Sequence, residues 1–185
     1  LEITHEDLVT NIIAGSYDFV NSDLDPTSSE NTGDHGTSVA GLIASEGWNN
    51  KGGRGVAPNA SLIGYNFIAT SSSATFSNVW GTSPPADAAA VNVDVYNNSF
   101  GTSYGKDKTT YNLSSSLSGS VLETLEYGVE NLRGGKGAIY VYSGGNNFKS
   151  YSTSVCGTDL ACQEGIVDNK KNQPFTIPVA ALNAD

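Results

Sequence analysis

At 185 residues, the chain is long enough to bury a hydrophobic core within one domain of ordinary size, and 38% of its residues are hydrophobic. It carries 19 Asp plus Glu against 9 Lys plus Arg, a formal net charge of -10, which excludes the basic patch that a nucleic-acid or anionic-membrane partner requires. No apolar run approaches the roughly 20 residues of a membrane span.

The first predicted element is a short helix that begins at His35, in the stretch DHGTSVAG. Thr32 or Asp34 is a suitable N-cap. The helix is rich in small residues, which let another backbone approach closely, and glycine within a helix costs about 1 kcal/mol relative to alanine. From these residues alone His35 is either structural or catalytic. The apolar residues expected to face the core are Val39, Leu42 and Ile43.

Two strands are predicted next, at residues 61–68 and 91–100, because both segments are short and rich in β-branched and aromatic residues. The second strand ends with Ser99, Phe100 and Gly101. The glycine leaves an open strand edge, which can pair with an extended peptide.

A helix is predicted over residues 115–135, where apolar residues recur at helical spacing. Arg133, Gly134 and Gly135 then provide a stop. The helix lies between two predicted strands, so we expect it to be the crossover of a parallel α/β sheet. Its apolar face is formed by Leu117, Val121, Leu122, Leu125, Val129 and Leu132.

Two further strands are predicted at residues 137–145 and 175–182. The apolar runs of the predicted strands are nearly continuous, which is typical of a parallel sheet covered on both faces. Pro178 either weakens the prediction of the last strand or places that strand at a sheet edge, because proline cannot donate a ladder hydrogen bond. The polar segments 21–34 and 69–89 are predicted to be long loops, which in compact domains are usually functional or mobile.

The strand at 137–145 ends in Ser143, Gly144 and Gly145, followed by Asn146. Two glycines at a strand end allow a ligand backbone to come close. Asn146 would then project from the carboxyl end of a parallel strand, where its amide can donate a hydrogen bond to a developing oxyanion. Taken alone, the motif GGNN is a weak signal and usually forms only a turn.

In their order along the chain, these motifs resemble the subtilisin superfamily of serine proteases. HGTSVAG is similar to the segment with the catalytic histidine, NNSFG to the substrate-binding strand, and GGNN to the segment with the oxyanion asparagine. The stretches HEDL, GSYDF, NNKGGRGVAPNA and GKGAIYVYSGGNN are most similar to the kexin and furin branch. The resemblance covers nearly the whole chain and implies a three-layer α/β fold with a mostly parallel central sheet.

The resemblance implies a role for each of these residues. His35 would be the general base of a Ser-His-Asp triad, and Asn146 would stabilise the tetrahedral oxyanion. A peptide groove is implied between two strand ends. Its residues are Ser99, Phe100 and Gly101 on one side and Ser143, Gly144 and Gly145 on the other.

The family's aspartate and serine have no counterpart in the sequence. The aspartate is expected a few residues upstream of Leu1, and the serine in a second Gly-Thr-Ser motif after the strand at 175–182. We therefore expect residues 1–185 to be a partial peptidase domain, incomplete because both flanks are missing and inactive by itself. A non-catalytic domain that binds extended peptides on the same scaffold is the alternative.

The resemblance also implies structural calcium. Asp7 in HEDL matches a family ligand, and the loop EGWNNKGGRG matches the loop that completes the site. All the implied donors are hard oxygens, as calcium requires. Without the resemblance the loop is an ordinary Asn/Gly-rich turn, or part of an unrelated extracellular calcium-binding module. The implied ligands are the side chains of Asp7 and Asn49 and the carbonyls of Glu46, Lys51 and Gly53.

Kexin-like enzymes line the first substrate pocket with acids and prefer basic residues before the cut. Tyr104 stands where one of those acids is expected, and Asp168 matches the second. One acid in place of two makes dibasic specificity doubtful. Asp168 is equally open to interpretation as a solvated loop residue.

Cys156 and Cys162 enclose five residues, which predicts a local disulfide and an oxidising compartment; two free thiols are the alternative. Leu1 is not a natural start, so we expect a segment upstream. With the resemblance, these features imply a secreted, periplasmic or extracellular protein. They also imply a peptide or protein substrate and a propeptide or chaperone as partner.

Overall fold

The chain divides into two compact units, Leu1–Asn92 and Val93–Asp185. The structure, a computed structural model, describes residues 1–28, 34–81, 92–101, 117, 119–145 and 168–181. Among these residues no helix is long and apolar enough to cross a membrane.

The first unit contains a pair of very short parallel strands. β1 (Tyr17–Asp18) pairs with β2 (Tyr65–Asn66), so that Tyr17 lies opposite Tyr65. The strand predicted at 61–68 is therefore reduced to two residues, although a further parallel bridge joins Ile12 to Leu62. The helices described in this unit are α1 (His35–Ala44) and α2 (Ser73–Val79), and 3₁₀ turns are present at Val9–Asn11 and Ile68–Thr70.

Helix α1 packs through its small residues. Ala40 and Ala44 are buried, whereas Leu42 is 75% exposed, so the prediction that Leu42 faces the core was wrong. The carboxyl end of the helix is met by another backbone, because Gly55 donates to the carbonyl of Ser45 at 3.0 Å. A Cβ at Gly55 would lie 2.5 Å from the amide nitrogen of Ala44, so only glycine fits this close approach.

Helix α2 corrects the prediction that residues 69–89 form a loop throughout. The Ser72 side chain caps the helix by accepting a hydrogen bond from the Thr75 amide at 3.1 Å. The buried rings of Phe76 and Trp80 lie 4.8 Å apart, and Phe67 packs edge-on against Phe76 at 5.6 Å. This aromatic cluster anchors the helix in the core of the first unit.

The second unit is a parallel β-α-β arrangement with one additional strand. Its described strands are β3 (Val95–Asn98), β4 (Ile139–Ser143) and β5 (Thr176–Val179), in the order β3-β4-β5. Both pairings are parallel, and Tyr96 lies opposite Tyr140. Helix α3 (Ser120–Gly135) connects β3 to β4, which confirms the predicted crossover in a parallel sheet.

The predicted end of α3 is correct, and its predicted start is wrong. The helix begins at Ser120 rather than residue 115, after Gly119 with φ of +68°. At its end Leu132, Arg133 and Gly134 leave helical geometry, as the predicted stop requires. Leu125 of the apolar face is fully buried, and Thr124 and Gly128 complete the buried side of the helix. In the described sheet, Pro178 lies on the edge strand β5, as predicted.

Candidate active site

His35 is the first residue of α1, and its side chain is exposed. Asp34 occupies the N-cap position without a side-chain capping bond, while its carbonyl accepts from the Ser38 amide at 2.8 Å. The histidine is therefore presented at a helix end rather than packed into the core. Asn146, its predicted functional partner, lies outside the described residues, so their pairing stays a prediction.

The two predicted groove segments follow neighbouring parallel strands. Ser99 comes directly after β3, and Ser143 is the last residue of β4. Since Asn98 lies opposite Tyr142, both segments leave the sheet at the same edge. Beneath this edge Asn98 is buried and donates to the carbonyl of Val141 at 3.2 Å, which holds the two strands together.

The two glycines after β4 have different structural roles. The Gly144 amide donates to the carbonyl of Val179 at 2.6 Å, and a Cβ at Gly144 would lie 3.1 Å from the Cα of Ala180. Gly144 therefore allows the end of β4 to pack closely against β5. Gly145 has φ of +93°, a conformation that favours glycine because side chains are strained there.

Asp168 lies beneath the end of β3 and is not a solvated loop residue. It is 3% exposed, and its Oδ2 is 4.0 Å from the ammonium of Lys171, which is also 3% exposed. A Cβ at Gly101 would lie 2.6 Å from the Lys171 Nζ and 3.6 Å from the Asp168 Oδ2. Sequence reasoning did not identify Lys171, because lysine is almost never fully buried unless it is paired.

Aromatic rings adjoin this ion pair. The rings of Phe100 and Tyr142 meet at 6.2 Å. Burial, followed by the negative charge of Asp168, raises the pKa of Tyr142 far above its usual range. The buried Tyr142 hydroxyl has no hydrogen-bond partner in the described part of the chain. At this strand end, aromatic rings therefore adjoin a buried ion pair.

The predicted calcium ligands of the first unit lie close together. Asp7 is 5% exposed, and its Oδ1 accepts from the Asn49 Nδ2 at 2.7 Å. The Glu46 amide donates to the carbonyl of Asp7 at 3.0 Å. The loop also closes over the other carboxylate oxygen, because a Cβ at Gly52 would lie 2.6 Å from the Asp7 Oδ2.

The side chains of Asp7 and Asn49 offer a carboxylate and an amide oxygen, which are ligand types that a hard cation prefers. The Asn49 Oδ1 accepts from the Lys51 amide at 3.0 Å, so a cation would require the amide group to turn its oxygen toward Asp7. Within the described residues, no cluster of three or more His, Cys, Asp or Glu side chains is suited to hold a metal. Backbone carbonyls would have to supply the remaining ligands.

Comparison with known proteins identifies the family. Residues 1–183 match the Subtilase family. The chain belongs to this family. It is 30% identical over 192 residues to the Aeromonas extracellular serine protease of Aeromonas sobria, which covers 100% of this chain and 30% of that protein. It is also 30% identical over 183 residues to kexin of Saccharomyces cerevisiae, which covers 94% of this chain and 21% of kexin.

Solved structures agree with the subtilase fold. In the crystal structure of the Aeromonas sobria serine protease with its chaperone ORF2, the match has a TM-score of 0.77 and 28% identity, covering 100% of this chain and 31% of that one. The predicted subtilisin-like α/β fold with parallel strands and the resemblance to kexin and furin are confirmed. This subtilase chain spans about 30% of the length of the Aeromonas protease.

Proposed function

We propose that this chain is the central part of the catalytic domain of a secreted serine endopeptidase. The observation that carries the proposal is the match of residues 1–183 to the Subtilase family, together with a parallel sheet whose neighbouring strands end in the substrate-binding motifs. His35 acts as general base, and Asn146 stabilises the oxyanion. The aspartate and the nucleophilic serine come from flanking segments of the parent protein. Residues 1–185 thus form a partial peptidase domain, inactive by itself.

The substrate in this proposal is an extended peptide that lies between the ends of β3 and β4. Ser99, Phe100 and Gly101 line one side, and the segment from Ser143 to Gly145 lines the other. In the described sheet β3 is an edge strand, and an extended peptide backbone can add to a sheet edge. This edge equally supports the second candidate, a non-catalytic domain that binds peptides without cutting them.

Calcium, a folding partner and secretion complete the proposal. Calcium binds the side chains of Asp7 and Asn49 and the carbonyls of Glu46, Lys51 and Gly53, and it would order a loop with little apolar anchoring. The Aeromonas protease was solved with a chaperone and is named as extracellular. By analogy, we propose that the parent of this chain is secreted and folds with a propeptide or chaperone.

The full-length protein tests the proposal. We expect it to cleave a chromogenic peptide and to be labelled by a serine-directed phosphonate. His35→Ala should lower kcat by about 10⁴-fold or more, the scale of triad losses in subtilisin, a member of the same family. The matched control is His5→Ala, which replaces the second histidine of the chain. A protein that binds the peptide but neither cleaves it nor takes the label would instead be the non-catalytic peptide-binding domain.

A further inference from the structure

Lys171, the cation that pairs with Asp168, is a feature of the second unit that the family resemblance does not account for. Both side chains are almost completely buried, with exposed fractions of 2% and 4%. The ammonium lies under the backbone of Gly101, where even a methyl group would lie 2.6 Å from it. The carboxylate is also fixed from the other side, because the Lys170 amide donates to its Oδ1 at 3.0 Å.

The charges of Lys171 and Asp168 determine which substrate side chains can bind beside Gly101. A basic substrate side chain that enters beside Gly101 finds the Asp168 carboxylate already facing a cation. It must also approach the Lys171 ammonium in a poorly solvated place, where like charges repel strongly. An uncharged side chain avoids this repulsion and can pack against the half-buried ring of Phe100, which Tyr142 supports from below.

We propose that Lys171 is a specificity-determining residue, whose ammonium occupies the place of a basic substrate side chain and directs the first pocket toward uncharged, apolar residues. This inference rests on the proposed function, since it takes the end of β3 as the wall of the substrate groove. It assigns a substrate class to that site: peptides with an aliphatic or aromatic residue before the cut.

The test uses the full-length protein and two peptides that differ only in having Arg or Leu before the cut. The wild type should prefer the Leu peptide in kcat/KM. Lys171→Met should raise the Arg-to-Leu ratio by about tenfold or more, because it exposes Asp168 to the basic side chain. Lys170→Met is the matched control, with the same change in charge one residue away, and should leave the ratio within about twofold.

A second variant covers the risk that removal of one partner of a buried ion pair prevents folding. Lys171→Met combined with Asp168→Asn leaves a neutral pair, and its Arg-to-Leu ratio should lie between those of the wild type and Lys171→Met. A wild type that prefers Arg, or a ratio that neither variant changes, would overturn the inference.

Peptide binding separates this inference from the proposed function. Fluorescence anisotropy with the same two peptides gives a ratio of dissociation constants that does not require cleavage. If no peptide is cut and no phosphonate is incorporated, the endopeptidase proposal fails. In that case, a shift of the binding ratio toward the Arg peptide in Lys171→Met would support the role of Lys171, and an unchanged ratio would contradict it.

Discussion

The phenol ring of Tyr140 on β4 packs directly against Gly128 of α3, and its hydroxyl fills the space that a Cβ at Gly128 would occupy. The Ala138 amide also donates to the Gly128 carbonyl at 3.0 Å. The crossover helix and the strand that follows it are thereby held at a separation that only glycine allows. Tyr96 stacks on Tyr140 with ring centroids 5.0 Å apart, which extends the contact to β3.

Gly128→Ala should therefore destabilise the protein. Alanine is favoured over glycine in a helix by about 1 kcal/mol. The overlap with Tyr140 opposes this gain, and overpacking of a core typically costs about 1–3 kcal/mol. We expect a net loss, measured as a lower midpoint of urea unfolding. In a Tyr140→Phe background the loss caused by Gly128→Ala should shrink; an equal loss in both backgrounds would show that the hydroxyl is not the obstacle.

Calcium should stabilise the protein through the loop around Asp7. At a hundredfold excess over its dissociation constant, a bound ion adds about 2.7 kcal/mol to the free energy of unfolding. The melting temperature should fall when chelator replaces calcium in the wild type, and Asp7→Ala should abolish that difference. Glu2→Gln, which removes an exposed charge, is the control. If wild type and Asp7→Ala respond equally, calcium binds elsewhere, and if neither responds, the loop has no functional site.

The carboxylate of Asp18 should make the free energy of unfolding depend on pH. Burial alone would raise its pKa, but hydrogen bonds from the Asn21 amide, the Asn66 side chain and the Val20 amide prevail and hold the pKa below its usual range. The pKa of Asp18 is therefore lower in the folded protein than in the unfolded chain, where it is about 3.9, so the ionised carboxylate stabilises the fold at pH values above about 3.9. This stabilisation is lost as the pH falls through the pKa of the folded state.

Asp18→Asn should accordingly cost about 2 kcal/mol near neutral pH, the scale of hydrogen bonds to a charged group. The difference from the wild type should shrink as the pH falls below about 4. Denaturant unfolding at pH 7 and pH 3 measures it. Asp25→Asn, at an exposed residue nearby, should show little effect at either pH. A difference that does not vary with pH would mean that Asp18 is not ionised in the folded protein.

Cys156 and Cys162 lie outside the described residues, so their disulfide stays a prediction. Thiol titration of the unfolded, unreduced full-length protein should find neither thiol free. Mass spectrometry of a proteolytic digest should show that the two cysteines are joined to each other. Two reactive thiols would show that the cysteines are reduced and would remove one reason to assign the protein to an oxidising compartment.

The second unit was largely predictable from sequence because its signals were strong and local. The apolar spacing of α3 and the continuous apolar runs of the strands around it specified a parallel β-α-β crossover. The predicted strands were longer than the observed ones. β4, for example, has the bounds Ile139–Ser143 within the predicted range 137–145.

Helix α2 was missed although its sequence carried a signal. Its Ser- and Thr-rich start is typical of a loop, but Ser72 is a good N-cap, and Phe76, Val79 and Trp80 follow at helical spacing. β1 gave no comparable signal, because it is only two residues long. Its pairing depends on the buried Asp18, whose hydrogen-bond partner Asn66 is distant in sequence.

In the candidate site, motifs predicted which residues follow each strand but not what lies beneath them. The ends of two strands could be predicted from the sequence, and they fix the positions of Ser99 to Gly101 and of Ser143 to Gly145. The burial of Lys171 depends on its pairing with Asp168 and on the absence of a side chain at Gly101. Asp168 and Lys171 are close in sequence, but Gly101 is distant from both, so only the folded arrangement reveals that this pair is buried.

The parallel pairing of the strands has a consequence for how fast the chain reaches its fold. Each described pairing joins distant segments: Asp18 and Asn66 are 48 residues apart, and Asn98 reaches Val141 across 43. The chain must therefore close long loops before its strands gain any hydrogen bonds. We expect slow refolding, during which strand edges are exposed to aggregation, and a partner that shields those edges during synthesis would raise the yield of folded protein.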